Sequence, residues 1–270
     1  VIYQLDNLDF EVTGKESVIA ELEVARAYWY YILCEAFGNV PIVDRFDVPE
    51  GFLPETSSRE EVFAFIENSI KNNVDKLSDD TKTYYGRFNK WNAKMLLARL
   101  YLNAESWIGK NMYTECMALC TEIMNSNKYA LENDYSAPFY AQNEGSQEII
   151  FAYPADEVKT GSTIYMALQK TLHPSNVKTF NLQTWLDNGV CAVPTFIDTY
   201  EEGDKRLPKT WRMGQQYGSD GSILYCTGLV PGWEGKPLIY TKEVSNLENG
   251  GEAEGYRLSL IHISEPTRPR

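Results

Sequence analysis

Histidine is almost absent from this sequence of 270 residues, in which His173 and His262 are the only two. The five cysteines include no C-x-x-C pair, and Cys116 and Cys120 have the four-residue spacing of one apolar helix face. A zinc site would need two further ligands near that pair, and a catalytic cysteine would have to use one of the two histidines. We therefore predict no metal, no cofactor and no cysteine nucleophile.

Positive charge is also scarce, because 25 Lys and Arg against 38 Asp and Glu give a formal net charge of −13. A chain this acidic repels a phosphate backbone, so we expect no nucleic-acid partner. Apolar runs of about 18 residues, the length that crosses a bilayer, are absent from the sequence. The first residues do not have the pattern of a secretion signal, but the chain begins at Val1 rather than Met, so its compartment stays open.

The first half of the sequence has the caps and the periodicity of helices. Thr13 and Glu16 have the spacing of a capping box, and so do Ser58 and Glu61. Four helices are predicted, at about residues 16–37, 59–77, 89–104 and 112–124. The predicted buried stripe of the first helix consists of Val18, Leu22, Ala25, Trp29, Leu33 and Ala36.

Short connections join the last three of these helices, which predicts antiparallel neighbours in tetratricopeptide-like pairs. The third helix has almost no polar face and is expected to lie between the others. The fourth is predicted to bury a stripe of Tyr113, Cys116, Met117, Cys120, Ile123 and Met124. We expect no sheet between residues 16 and 83.

The second half of the sequence has short, mixed signals. Gln147–Tyr153 has the composition of a strand, and short helices are predicted near Tyr165–Thr171 and Val193–Tyr200. Asp220-Gly221 predicts the turn of a hairpin over residues 215–225. The predicted fold class is therefore mainly α, with tetratricopeptide-like helical pairs and an irregular, loop-rich second half that carries small β elements.

Five motifs, in chain order, resemble the SusD/RagB family of outer-membrane nutrient-binding lipoproteins. They are RAYWYYILCEAFGNVPIV at 26–43, the helix REEVFAFIE at 59–67, GRFNKWNAKMLLARLYL at 86–102, the segment at 129–151, and P-x-F-x-D-x-Y-E-x-x-D-x-R at 194–206. Asn92 departs from the family, which usually has alanine there. The resemblance covers roughly Glu16–Thr210.

This resemblance implies a non-catalytic, cell-surface binding subunit that is lipid-anchored in the outer membrane. It implies a SusC-like TonB-dependent transporter as the partner and an oligosaccharide, or in some members a peptide, as the ligand. The predicted domain is 1–257, with a helical scaffold at about 13–126 and a loop-rich part at about 127–257. The signal peptide and the lipid-anchoring cysteine are expected before Val1, and the carboxyl-terminal part of the family domain is expected beyond Arg257.

The end of the sequence, LSLIHISEPTR at 258–268, looks like the translation of a sequencing adapter. We therefore interpret residues 258–270 as read-through. A segment of that origin has no relation to the fold, so we expect it to pack against nothing.

Three tryptophans of the loop-rich half are the candidate ligand contacts. Sugar capture needs a flat aromatic face with amides or charged groups beside it, and binding residues concentrate in loops. The candidates are Trp185 with Asp187 and Asn188, Trp211 beside Arg212, and Trp233 beside Glu234. The alternative for each tryptophan is that it fills a core with few aliphatic side chains.

Two other function classes stay open. A cytoplasmic tetratricopeptide adaptor would show a 34-residue repeat, which this sequence does not have. An all-α glycoside hydrolase would need two carboxyl groups facing each other across a cleft. The cluster of Asp198, Glu201, Glu202 and Asp204 lies along one helix end instead, where it is interpreted as surface charge with Asp204 paired to Arg206.

Overall fold

The computed structural model describes residues 1–140, 142–154, 166–246, 248 and 250–258. These residues form two compact units. The first comprises Val1–Leu131 and Gln147–Pro154, and the second comprises Glu132–Ser146 and the described residues from 166 onward. The loop-rich part predicted from about residue 127 is therefore not the same as the second unit, because 147–154 return to the first.

The first unit is built from helices. These are α1 (Ile2–Asp6), α2 (Lys15–Phe37), α3 (Arg59–Lys71), α4 (Lys90–Ile108) and α5 (Tyr113–Asn125), with a 3-10 turn at Val74–Lys76. α4 packs against both α3 and α5, and α2 packs against α3. The mainly helical fold class and the position of α4 between its neighbours are thus confirmed.

The caps explain where most of these helices begin. Ser58 accepts from the Glu61 backbone and Glu61 reaches back to Ser58, so the predicted capping box of α3 is confirmed. The box predicted at Thr13 is wrong, because the chain turns at Gly14 in the left-handed region and Gly14 is the N-cap of α2. Asn89 and Asn92 form a further box at α4 that the sequence analysis missed.

The predicted stripe of α2 is also wrong. The buried residues of this helix are Ala20, Val24, Ala27, Tyr31 and Cys34. Val18, Trp29 and Leu33, which were predicted to be buried, are exposed. α2 is apolar around most of its circumference, so hydrophobicity does not select the face. The small Ala20 and Ala27 allow the close approach of neighbouring helices.

The predicted buried stripe of α5 is confirmed for Cys116 and Ile123, which are buried, and is wrong for Tyr113, Met117 and Met124, which are exposed.

The expectation of no sheet between residues 16 and 83 is wrong. β1 (Val40–Pro41) pairs antiparallel with β2 (Thr56–Ser57) and joins the exit of α2 to the start of α3.

The segment Gln147–Tyr153 is not a strand, although all seven residues are described. It returns to the first unit with its aromatic side chains. Phe151 stacks on Phe88 at 4.8 Å between ring centroids, and both rings contact Tyr28. Aromatic packing on the helices, rather than backbone pairing, therefore determines where this segment lies.

The second unit has short helices and short antiparallel pairs. The helices are α6 (Met166–Thr171), α7 (Val177–Phe180), α8 (Pro194–Ile197) and α9 (Arg206–Thr210), with a 3-10 turn at Pro174–Asn176. β3 (Trp211–Arg212) pairs with β6 (Arg257–Leu258), and β4 (Gly214–Gln215) pairs with β5 (Ile239–Tyr240). The short helices predicted near 165–171 and 193–200 are present, although Tyr165 itself lies outside the described residues.

The predicted hairpin at 215–225 is confirmed by the antiparallel bridge between Tyr217 and Ile223. The sequence analysis missed its third arm, in which Leu238 exchanges backbone hydrogen bonds with Gln216 and Leu224. This meander buries an apolar cluster of Leu224, Cys226, Leu238, Tyr240 and Ala253.

Leu258 does not follow the expectation for the read-through tail. It pairs with Trp211 in the β3–β6 ladder, and its carbonyl accepts a 3.0 Å hydrogen bond from Thr171 Oγ1. Residues 259–270 lie outside the described residues, so the expectation stays a prediction for them.

Candidate ligand site

The loop that carries Trp185, Asp187 and Asn188 is held against the last turn of α6. The backbone N–H of Asp187 donates to Gln169 O at 2.6 Å, and that of Asn188 donates to Leu172 O at 2.9 Å. Asn188 is in the left-handed region at φ 60°, which asparagine tolerates better than most residues. These bonds fix the three predicted site residues in one tethered loop.

Trp185 presents its indole to solvent, with 59% of the residue exposed. Lys170 Nζ lies 5.4 Å from the centroid of the ring and forms an ion pair with Asp187. The lysine thus links the aromatic side chain to the carboxylate. An exposed aromatic ring bordered by charged groups is suited to a ligand that has both apolar and hydroxyl surface.

A polar cavity of about 360 Å³ opens beside this loop. Its walls come from three segments of the second unit, listed here in chain order: Asp187, Asn188, Gly189, Cys191, Leu229, Val230, Val244, Asn246, Glu248, Gly250, Gly251, Glu254 and Arg257. The volume lies in the range of small-molecule sites, which is about 300–1,000 Å³.

Asn188 and Arg257 meet in the wall of this cavity at the carbonyl oxygen of Glu252. Asn188 Nδ2 donates to that oxygen at 2.7 Å, and Arg257 Nη2 donates to it at 3.3 Å. Asn188 Oδ1 and Arg257 Nε are buried and lack a hydrogen-bond partner among the described residues.

The carboxylate of Glu252 anchors the wall from behind. It accepts from the backbone N–H groups of Thr227, Gly228 and Val230 and from His173 Nε2, which lies 2.6 Å from Oε1. His173 Nδ1 accepts from the N–H of Ser175 at 3.0 Å, so the ring proton is on Nε2 and the imidazole is neutral.

Within the described residues, one buried group has possible ligand atoms close enough to one another for a metal ion, and it consists of His173, Cys226 and Glu252. Both ring nitrogens of His173 already have partners, and the carboxylate accepts several N–H groups. Burial raises the pKa of the Cys226 thiol to about 11, which keeps it protonated. The arrangement is suited to a structural hydrogen-bonded anchor and unsuited to a metal.

None of the three predicted tryptophans is among the residues that line the cavity. Trp211 is half-buried in β3, donates from Nε1 to Tyr200 Oη at 3.2 Å and packs edge-on against Phe196. Trp233 is half-buried on the apolar cluster of the meander, and Lys236 Nζ lies 4.8 Å from its ring centroid. Trp233 also packs against Gly251 in the cavity wall, where an added Cβ would lie 2.2 Å from its Cζ2.

The carboxylate cluster at 198–204 has local partners. Asp204 binds Arg206 at 2.6 Å, which is the pairing that the sequence predicted, and Asp198 binds Lys242 at 2.7 Å. Glu201 is exposed beside them.

The sequence analysis missed Lys170, Glu252 and Arg257, which reach the site from distant parts of the second unit and share no motif with it.

Together these features define an α-helical unit followed along the chain by a loop-rich unit with a polar cavity and an exposed indole. The sequence profile of a SusD-like family, described as "Starch-binding associating with outer membrane", matches residues 3–102. The starch-binding protein SusD of Bacteroides thetaiotaomicron is 30% identical over 156 residues, which are 54% of this chain and 27% of SusD.

Solved structures show the same fold. A SusD superfamily protein of Parabacteroides distasonis superposes with a TM-score of 0.71 at 20% identity, over 96% of this chain and 52% of that protein. A surface glycan-binding protein A of Bacteroides thetaiotaomicron, solved in complex with laminarihexaose, has a TM-score of 0.61 at 20% identity, over 78% and 45%. The resemblance to the SusD/RagB family is thus confirmed, and this chain spans about half the length of these structural relatives. None of the helices within the described residues is long and apolar enough to cross a membrane.

Proposed function

We propose that this chain is the binding part of a cell-surface subunit that captures an oligosaccharide for uptake. The observation that carries the proposal is the exposed Trp185, joined through Lys170 to Asp187 at the edge of a polar cavity. An indole face packs on the apolar face of a pyranose, while the cavity offers donors and acceptors for its hydroxyl groups. The names of the relatives support the same ligand class, since one is a starch-binding protein and another binds laminarihexaose.

The same proposal includes the setting. A SusC-like TonB-dependent transporter would receive the ligand, and a lipid anchor in the full-length protein would hold the subunit at the outer-membrane surface. The family profile, which describes association with the outer membrane, supports this location. Retention of the transporter on the immobilised full-length protein, from detergent extracts of the native membrane, would test the partnership directly.

Binding rather than hydrolysis is proposed for the cavity. A glycosidase needs a carboxylic acid that holds its proton near neutral pH. Hydrogen bonds from the Gly251 backbone and from Ser245 lower the pKa of Glu254 instead, and Asp187 is paired with Lys170. These two carboxyl groups are therefore suited to accept hydrogen bonds from hydroxyls.

The test is calorimetric titration of oligosaccharides and short peptides against the wild type, Trp185→Ala and Trp29→Ala. Dissociation constants of micromolar to millimolar order are expected for glycans, and Trp185→Ala should weaken binding by about fivefold or more, by analogy with stacking on aromatic side chains. Trp29→Ala is the matched control, because Trp29 has the same side chain with a similar exposure of 57% in the first unit.

Both variants should keep the wild-type melting temperature, because neither Trp29 nor Trp185 belongs to an apolar cluster of its unit. If the protein binds short peptides but none of the glycans, the proposal of glycan capture would be replaced by peptide uptake or by a peptide-binding adaptor. Turnover of any glycan would contradict a binding role.

A further inference from the structure

We infer that the second unit binds a small oxyanion, such as sulfate, phosphate or a carboxylate group, at Arg212 beside Arg257. The two arginines are cross-strand partners in the β3–β6 ladder. Neither of them forms an ion pair with an acidic side chain within the described residues. The inference goes beyond the proposed function and does not depend on it.

The register of the ladder places two positive charges next to each other. Residues directly opposite on antiparallel strands lie on the same face, with Cβ atoms about 5 Å apart, and like charges in such positions destabilise the pair. Arg257 is only 3% exposed, and burial lowers the pKa of Arg212 below its ordinary value. Water therefore screens the repulsion poorly, and the pair is costly unless a negative charge lies near it.

The aromatic side chains around the two guanidinium groups supply no negative charge. The ζ carbon of Arg257 lies 5.5 Å from the ring centroid of Tyr240, and that of Arg212 lies 5.4 Å from the centroid of Phe180. Burial raises the pKa of Tyr240 to about 12, although both arginines act against this shift, so the phenol stays neutral. These cation–π contacts hold the two groups in place without neutralising them.

The carboxylate of Glu252 is buried in the same unit and compensates at most one of the two charges. Its oxygens accept from backbone N–H groups and from the neutral His173, and it forms no ion pair with either arginine. One positive charge of the pair therefore remains without a counter-ion among the buried groups that the structure describes.

The acidic groups nearest to Arg257 are directed elsewhere. Glu254 lines the same cavity as Arg257, but its Oε2 accepts from Ser245 and from the N–H of Gly251. Glu248 is exposed on the cavity wall and forms no ion pair with the arginine. Both carboxylates oppose an anion inside that cavity, so Arg212, which does not line it, is the better contact.

Arg212 has the atoms that an oxyanion can reach. Its Nε donates to Gln216 Oε1 at 3.1 Å, and Nη1 and Nη2 have no hydrogen bond in the part of the chain that the structure describes. Both Nη atoms are accessible to solvent, because neither is among the buried polar atoms that lack a partner. The N–H groups of a guanidinium form a planar fork that matches two oxygens of a carboxylate, sulfate or phosphate.

Thermal melting with added anions tests the inference. The wild type is melted with up to about 20 mM sodium sulfate, sodium phosphate or sodium glucuronate, against sodium chloride of equal ionic strength and against glucose. An anion that binds the folded state should raise the melting temperature by about 2–4 °C, and the rise should saturate. A rise with sulfate or phosphate assigns the site to a free oxyanion, and a rise with glucuronate alone assigns it to a carboxylate carried by a sugar. Both results support the inference.

Substitutions at Arg212 assign the effect to this side chain. Arg212→Gln should lose most of the rise, whereas Arg212→Lys keeps the charge without the planar fork and should keep part of it. Without added anion, Arg212→Gln should melt no lower than Arg212→Lys, because it removes one of the two repelling charges. Arg45→Gln is the control, since Arg45 is an exposed arginine of the first unit that pairs with Asp47, and it should keep the full rise.

Calorimetric titration of sulfate and glucuronate into the wild type and Arg212→Lys measures binding directly, even if Arg212→Gln does not fold. Three results would each overturn the inference: no saturable effect of any of the three anions on the wild type, an unchanged rise in a folded Arg212→Gln, or an equal loss of the rise in Arg45→Gln. All three leave the proposed function standing, because capture of a neutral oligosaccharide at Trp185 does not involve Arg212.

Discussion

Replacing Glu252 by glutamine should destabilise the second unit more than any other single-atom change in the cavity wall. The carboxylate is fully buried and receives the N–H groups of Thr227, Gly228 and Val230 as well as His173 Nε2. Glutamine has the same shape but places an NH₂ group at one of the two oxygen positions. That group then faces N–H donors instead of accepting from them.

The magnitude follows from the number of bonds affected. If the amide nitrogen takes the Oε2 position, the N–H of Val230 loses its acceptor at 3.3 Å, and the N–H of Gly228 loses Oε2 at 3.1 Å and keeps only Oε1 at 3.2 Å. Hydrogen bonds to a charged group contribute about 1.5–3 kcal/mol each. Part of this loss is offset, because the neutral amide avoids the desolvation energy that burying the carboxylate costs. We expect a loss of about 3 kcal/mol in the free energy of unfolding, which corresponds to a fall of about 10 °C in melting temperature.

Urea unfolding followed by tryptophan fluorescence is the assay, since Trp233 packs on the apolar cluster of the same unit. Glu243→Gln is the matched control, because its side chain is 80% exposed and the same atoms change. The control should stay within about 0.5 kcal/mol of wild type. A loss below about 1 kcal/mol for Glu252→Gln would refute the reasoning, because it would show that the N–H groups do not depend on the carboxylate.

The same anchor makes stability depend on pH. Burial lowers the pKa of His173 below its ordinary 6.5, although Glu252 opposes the shift. Burial raises the pKa of Glu252, but hydrogen bonds from His173 and from backbone N–H groups outweigh it, so that pKa lies below 4.5. In both cases the unfolded chain takes up the proton first as the pH falls, so stability should decline below about pH 6.5 and further below about pH 4.5. His173→Phe should remove the first decline, and an unchanged profile in that variant would contradict the assignment.

Three further substitutions test capping and packing. Asn92→Ala restores the residue usual in the family but removes the side chain that accepts from the Asn89 N–H at 2.8 Å, so it should lower the free energy of chemical unfolding by about 1–2 kcal/mol. Ser58→Ala, at the capping box of α3, should lower it by about 1 kcal/mol. An Asn92→Ala variant as stable as wild type would show that the capping box of α4 adds no stability. Gly251→Ala should lower the melting temperature because its Cβ would lie 2.2 Å from Trp233 Cζ2, a cost of about 1–3 kcal/mol for overpacking, and a wild-type melting curve would mean that the indole moves away freely.

Local sequence rules predicted the elements of the first unit and failed on their faces. The capping box at Ser58 depends on neighbouring residues only, so it is readable from the chain. Which face of α2 is buried depends on the helices that pack against it. Tyr31 is buried and Trp29 is exposed on this helix, although both are aromatic and only two residues apart. Such a choice is made by the tertiary neighbours of the helix and has no signal in its own periodicity.

In the candidate site, too, local sequence predicted some residues, while others depend on tertiary packing. Trp185, Asp187 and Asn188 are adjacent in sequence, so one motif was enough to propose them, and a short tethered loop keeps them together. Lys170 and Arg257 join them only because the last turn of α6 and strand β6 fold back onto that loop. Arginine at the end of a strand has no periodic or motif signature. What identifies it is a buried donor without a partner, which is a property of three-dimensional packing. Sequence reasoning can therefore find the exposed residues of such a candidate site, while the buried residues that support them emerge only from the fold.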